Sequence, residues 1–311
     1  MPNIKDIQIR DPFILRQDGN YYLYGTTDPD VWRGKGIGFD VYIAKDDDFI
    51  EFAGPYPAFR PADDFYSEMN FWAPEVHVYE EKFYMLATFW HKAGQRGTAI
   101  LRADNPLGPF TPWSDGLVTP MEWCCLDGTL HLENEVPYMV FCHEWQQITD
   151  GSICYLPLSM DLKKATGAPV TLFHASEATW TDEMAHRGPG IYVTDGPFLY
   201  RDETGELYMF WSSYSNGKYA IGVSKSDNKR IDGNWIHGTS PLYGDDGGHG
   251  MVFEKSGKLY LTIHRPNDSP NERANFVELR DDLSCTRGDK RSLLFDLQTE
   301  KMGNTHGWNL L

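Results

Sequence analysis

Three aspartates and a histidine head copies of one repeated phrase in this chain, far apart in sequence but in a pattern that would gather them. Asp11 heads DPFILRQDGNYYLYGT, Asp127 heads DGTLHLENEVPYMVFC, Asp195 heads DGPFLYRDETGELYMFWS and His249 heads HGMVFEKSGKLYLTIH, while a fifth copy, APEVHVYEEKFYMLAT, begins at Ala73. Carboxylates and an imidazole converging on one cavity have no ready structural purpose, and they are the groups with which an enzyme moves protons. The head position therefore reads Asp, Ala, Asp, Asp, His in the five copies.

The elements that must position these residues are hairpins. Each copy is a short apolar strand, a polar turn and an aromatic-rich strand. The copies recur at steps of about 54 to 68 residues, enough for a small antiparallel sheet of the kind that forms a propeller blade. Two further strands follow each hairpin. GFDVYIAKDDDFIEFAGP, for example, alternates apolar and polar residues across a turn at 46–48, the period-two signal of a half-buried strand. Helical periodicity is scarce. The pattern predicts an all-β protein, a five-bladed propeller of four-stranded antiparallel blades round a central channel. One domain is predicted to cover residues 1–311, because the repeat spans nearly the whole chain without a linker-like tract. Residues 32–38, 58–71 and 174–191 break the blade rhythm, and such insertions read as walls of a pocket.

Bulk composition narrows the partners. A net charge of −17 argues against nucleic acid, whose binding needs basic surface to release counterions. An uncharged substrate fits better. The 10 Trp, 17 Tyr and 17 Phe suggest blade-to-blade packing with a few rings left as sugar platforms. Five cysteines, Cys124, Cys125, Cys142, Cys154 and Cys285, form no CxxC pair and suggest buried thiols, neither a disulfide framework nor a zinc site. No apolar run is long enough to cross a bilayer, and the chain opens without a signal-peptide pattern. Removal of a leader would leave the same picture, so an extracytoplasmic site of action is the expectation only if one was removed.

With IRDPFIL and YYLYGT, FWAPEV, the Asp127 hairpin, TDGPFLY with ELYMFWS, IDGNW, and DGGHGMVF with KLYLT all in order, the chain resembles glycoside hydrolase family 43 from about Ile9 to about Phe295. The resemblance implies an inverting glycosidase, in which one carboxylate deprotonates water, a second protonates the leaving oxygen and a third tunes the acid. Position by position, it implies Asp11 as the base, Asp127 as the modulator and Asp195 as the acid. The family's acid is usually Glu. An Asp there shortens the reach by one methylene, so Glu144 in VFCHEWQQ is the first alternative donor, Glu177 the next, and Glu75 of APEV a lesser one.

Trp72, His143, Trp145 and Trp211 adjoin motifs expected to face the cavity, where an indole can stack on the C–H face of a sugar. Core packing is the competing reading for Trp211. Arg265 after the fifth hairpin is a candidate to bind sugar hydroxyls or hold Asp11 charged, against a surface ion pair. His249 is implied by the resemblance to face a cation, commonly calcium, in the channel; oxygen-bearing water would have to complete its shell. The resemblance implies removal of terminal α-L-arabinofuranosyl units from plant-type glycans, and the insertions around the mouth favour exo action. A β-xylosidase or exo-β-galactosidase of the same fold is the alternative within the class, and a non-catalytic carbohydrate-binding propeller the alternative outside it.

Overall fold

The structure, a computed structural model, describes residues 1–45, 48–91, 94–280 and 282–283. Cys285, Phe295 and part of the turn at 46–48 lie outside the described residues. Antiparallel sheets form in chain order, each strand pairing with the next. Blade 1 comprises Arg10–Gln17, Asn20–Thr26, Phe39–Ala44 and Phe52–Phe59, and blade 2 comprises Trp72–Tyr79, Lys82–Trp90, Arg96–Ala103 and Thr111–Leu117. Cys125–Glu133, Val136–His143, Ser152–Pro157 and Val170–His174 make blade 3. Asp195–Arg201, Leu207–Ser215, Lys218–Ser226 and Trp235–His237 make blade 4. Blade 5 has three strands among the described residues, Val252–Lys255, Lys258–Arg265 and Arg273–Glu278. Together the sheets make a five-bladed β-propeller.

The core lies between blades, because a sheet in a propeller is covered on both faces. The strand Lys82–Trp90 accordingly buries every residue from Phe83 to Phe89 and does not alternate. Aromatic rings fill these interfaces: Phe71 and Phe89 meet at 5.0 Å in a T-shaped pair and Phe39 touches both, while Trp180 meets Trp211 at 4.8 Å. Each ring that leaves water contributes about 1.5–3 kcal/mol. The blade sequences are aromatic because the wedge between radiating sheets is wide and needs large side chains.

The ring closes between the first and last blades without a shared sheet. Thr262 donates to the Pro12 carbonyl at 2.7 Å, Arg273 to the Lys5 carbonyl at 2.6 Å, and Arg10 is ion-paired with the fully buried Glu272. Among the described residues, no helix is long and apolar enough to cross a membrane.

Candidate active site

A β-bulge at the axial end of each innermost strand builds the site. Arg10 pairs with Thr26 and Phe13 with Tyr24, so Asp11 and Pro12 together face one partner residue, Gly25. The same slip separates Trp72 from Glu75, Leu126 from Thr129, and Asp195 from Phe198. The first residue of each bulge takes left-handed φ: 52° at Asp11, 46° at Ala73, 58° at Asp127 and 51° at Gly196, with 45° at His249 in the last blade. Non-glycine residues in that region cost roughly 1–2 kcal/mol each, strain that clusters at functional sites. The second bulge residue leaves the ladder, which is why Pro12, Pro74 and Pro197 fit there without an N–H to donate.

This register corrects the head position in the fourth blade. Gly196, not Asp195, is the equivalent of Asp11, Ala73, Asp127 and His249; Asp195 stands one residue earlier and is equivalent to Arg10, Trp72 and Leu126. The signal was the shared Pro-Phe of DPFIL and GPFLY, which aligns Pro197 with Pro12. Both positions point at the axis. Arg10, Trp72, Leu126 and Asp195 line one cavity of about 620 Å³ together with Asp11, Asp127 and His249. At Gly196 a side chain is excluded: a Cβ there would lie 2.6 Å from Cδ2 of His249.

The bulge N–H groups are bonded from blade to blade. Ala73 donates to the Thr26 hydroxyl at 2.8 Å, Asp127 to Thr88 at 2.9 Å, His249 to Ser212 at 2.7 Å and Asp11 to Nδ1 of His264 at 3.2 Å. These four acceptors occupy one equivalent place on the preceding blade. In the remaining gap that place holds Cys142, a poor acceptor, and the Gly196 N–H turns to Oδ2 of Asp127 at 3.0 Å. That exception fixes the Asp127 carboxyl.

Electrostatics separate the three carboxyls. Burial pushes Asp11 upward, but His249, with Nδ1 at 3.2 Å, Arg10 and a 2.6 Å bond from the Thr26 hydroxyl overcome it and hold Asp11 below the usual carboxylate range. Burial raises Asp195 to about 6, with the charges of Glu144 and Asp11 adding and His249 and the Tyr219 hydroxyl at 3.0 Å opposing. Asp127 is raised to about 7, first by burial and then by Asp195 and Asp11, against His249 and the Gly196 N–H. His249 has Asp127 Oδ2 at 3.7 Å as well as Asp11; burial opposes its charge, yet the three aspartates raise its pKa. His264, pushed down to about 3 by burial and Arg10, is neutral and accepts the Asp11 N–H. The site thus contains one carboxyl whose charged form is favoured and two whose ionisation is displaced toward neutral pH.

Glu144 also lines the cavity, but both its oxygens receive Arg96 Nη2, at 2.8 and 2.6 Å, and the Cys124 thiol lies 2.8 Å from Oε2. Asp195 has only Tyr219 on Oδ2, so its other oxygen is without a hydrogen-bond partner among the described residues. Of the two carboxyls, Asp195 is therefore the less engaged. Glu177 accepts the His174 N–H at 2.7 Å in a capping box outside the cavity, and Glu75 faces His77 at 3.0 Å.

Of the other sequence candidates, Trp72 and Trp145 line the cavity. Trp211 does not: it is fully buried opposite the fourth bulge, its indole N–H donating to Ser224 at 2.8 Å, so packing decides its place. His143 lies behind the wall, stacked on Trp123 at 4.2 Å and bonded to Gln147 at 2.9 Å. Arg265 is turned to the surface and ion-paired with Asp245, away from Asp11. His249 is held among carboxyl groups. Its Nδ1 faces two carboxylates, and among the described residues no three His, Cys, Asp or Glu side chains are arranged to hold an ion. The four cysteines among the described residues are buried and free. Sequence reasoning missed Arg10, Arg96, Tyr214 and Tyr219, which line the cavity; Arg10 stands at the first bulge, whereas Tyr214 and Tyr219 face each other across one regular strand pair.

The model of "Glycosyl hydrolases family 43" matches residues 4–278. No curated protein matches the chain. Among solved structures, it is similar to an endo-arabinase from Bacteroides thetaiotaomicron at 38% identity and TM-score 0.80, over 89% of this chain and 96% of the other. An endo-1,4-beta-xylanase from the same organism superposes at TM-score 0.70 with 22% identity, covering 91% and 95% of the two chains. An alpha-L-arabinofuranosidase from Lactobacillus brevis does so at TM-score 0.70 with 20% identity, covering 90% and 94%. The last two show the fold alone.

Proposed function

Because this chain belongs to glycoside hydrolase family 43 and acts on carbohydrate, we propose that it hydrolyses α-L-arabinofuranosyl linkages with inversion, removing terminal units from plant-type glycans. One observation carries the mechanism: Asp11 and Asp195 line the same cavity with pKa values displaced in opposite directions. A base must be ionised and an acid protonated at the same pH, and environments that push two carboxyls apart assign those roles. Asp11 takes a proton from water, whose oxygen attacks the anomeric carbon. Asp195 gives its proton to the glycosidic oxygen as the bond to the leaving group breaks. Asp127 and Asp195 share one buried site and disfavour joint ionisation, and His249 fixes Asp11 and Asp127 from one atom.

The sugar rests on the 38% identical relative, described as an endo-arabinase. Terminal attack rests on the walls: Trp32 and Arg33 from the first-blade insertion, Met184 and Arg187 from the fourth-blade insertion, and Asn267–Ser269 after the last hairpin stand round the mouth. A volume of about 620 Å³ lies within the usual ~300–1,000 Å³ of ligand pockets. Internal cleavage is the second reading, favoured by that same relative.

The test is incubation with the nitrophenyl glycosides of α-L-arabinofuranose, β-xylopyranose and β-galactopyranose, and with linear and branched arabinan. Release of nitrophenol from the arabinoside alone, with arabinose as the sole early product from arabinan, supports the proposal. Early oligosaccharides support internal cleavage, and sugar binding without release in any arm supports the non-catalytic binder. Proton NMR of the nascent anomer tests inversion.

A further inference from the structure

The mouth of the cavity carries two arginines that the hydrolytic machinery does not use. Arg33 and Arg187 line the cavity from two of the three segments that interrupt the blade rhythm, and both are exposed. Neither guanidinium has a hydrogen bond or ion pair among the described residues. The two deeper arginines are engaged, Arg10 with Glu272 and Asn267 and Arg96 with Glu144. Among the described residues, acidic side chains on the same loops form no ion pair with the rim arginines, and their oxygens accept backbone N–H groups. Asp30 accepts the N–H groups of Trp32 and Arg33, Asp28 that of Ile37, Glu183 that of Gly190 and Asp182 that of Gly217. Across the mouth Asp268 is exposed and accepts from Asn271.

Two unpaired guanidiniums at the entrance of a protein with net charge −17 are a local exception in need of a partner. Trp32, next to Arg33 in the chain and lining the same cavity as Arg187, has 54% of its surface exposed, edge-on to Trp72 at 5.4 Å and with Arg10 over its ring at 5.1 Å. An exposed indole offers an apolar face for the C–H side of a sugar, and a guanidinium matches a carboxylate with two parallel hydrogen bonds. Arg187 lies on the proton donor's side: its insertion is bonded to the strand paired with that of Asp195, Asp182 donating its N–H to the Tyr214 carbonyl at 2.8 Å and accepting the Gly217 N–H at 3.1 Å. The group beyond Asp195 is the leaving group.

We propose that Trp32, Arg33 and Arg187 form a subsite for a uronate residue on the leaving-group side, so that the natural substrate is a carboxylated glycan bearing the terminal sugar. This rests on the reading of the site as a glycosidase but needs no particular terminal sugar. The test is calorimetric binding of digalacturonate, of its carboxyl-reduced neutral counterpart and of a sulfated neutral disaccharide to the intact protein and to the R33Q/R187Q variant. Digalacturonate is expected to bind roughly tenfold or more tightly than its neutral counterpart, with the preference narrowing as salt rises and absent in the variant. Equal binding of the charged and neutral disaccharides, a preference that survives R33Q/R187Q, or equally tight binding of the sulfated sugar would overturn the uronate subsite. Selective digalacturonate binding by a protein that releases no arabinose would keep the subsite and refute the terminal sugar instead.

Discussion

Removing one hydroxyl, in Tyr219→Phe, should move the alkaline limb of the pH profile upward by about one unit. The Tyr219 O–H donates to Asp195 at 3.0 Å and favours the charged carboxylate, so its loss raises the pKa of Asp195 and keeps the acid protonated to higher pH. Tyr219 itself is buried with its pKa pushed well above the ordinary value, and it remains a donor throughout the range. A hydrogen bond to a charged group contributes about 1.5–3 kcal/mol, and one pKa unit corresponds to about 1.36 kcal/mol. Water in the cavity replaces part of the lost bond, which brings the shift to about one unit. The ring is kept, so its stacking on His264 at 5.5 Å survives. The assay is kcat/KM against pH, which reports the free enzyme. Glu144→Gln provides the opposite sign, since it removes a like charge that raises Asp195, and its alkaline limb should move downward. A limb that stays in place in both variants, or activity on natural glycosides abolished by Glu144→Gln alone, would refute the assignment of Asp195 as the acid.

Other consequences can be checked separately. Asp11→Asn should lower kcat by about 10²–10⁴ on nitrophenyl and natural glycosides alike, because the water loses its base whatever the leaving group; steady-state kinetics on both substrates reads this directly. His249→Gln removes the leading charge that holds Asp11 low, so the acidic limb of kcat/KM should rise toward neutral pH, and a limb that moves the other way would contradict the ion pair. Gly196→Ala places a Cβ against the His249 ring at a φ of 51°, which should destabilise the fold by about 1–2 kcal/mol in denaturant titration and impair turnover as His249 shifts. Arg96→Met leaves Glu144 buried without its partner, at a cost of about 3–5 kcal/mol; a loss below about 1 kcal/mol in the same titration would show the pair to be inessential.

The repeated hairpin alone determined the propeller, since period-two alternation, aromatic second strands and regular turns leave few other ways to bury five such units. It also singled out Asp11, Asp127 and His249, which head their copies, and Trp72, beside the head of its own, because a motif repeated about an axis sends equivalent residues to one place. The bulge register was decided by pairing between strands. A one-residue slip exchanged Gly196 for Asp195 in the ring of N–H groups and gave the aspartate a free oxygen toward the cavity. Likewise, Trp211, His143 and Arg265 adjoin cavity motifs in the sequence, yet packing, stacking and a surface ion pair take their side chains elsewhere. Residue types and spacing fix which groups are near the axis. Which way each points, and whether its charge is kept, depends on contacts from other blades, with partners tens to hundreds of residues away.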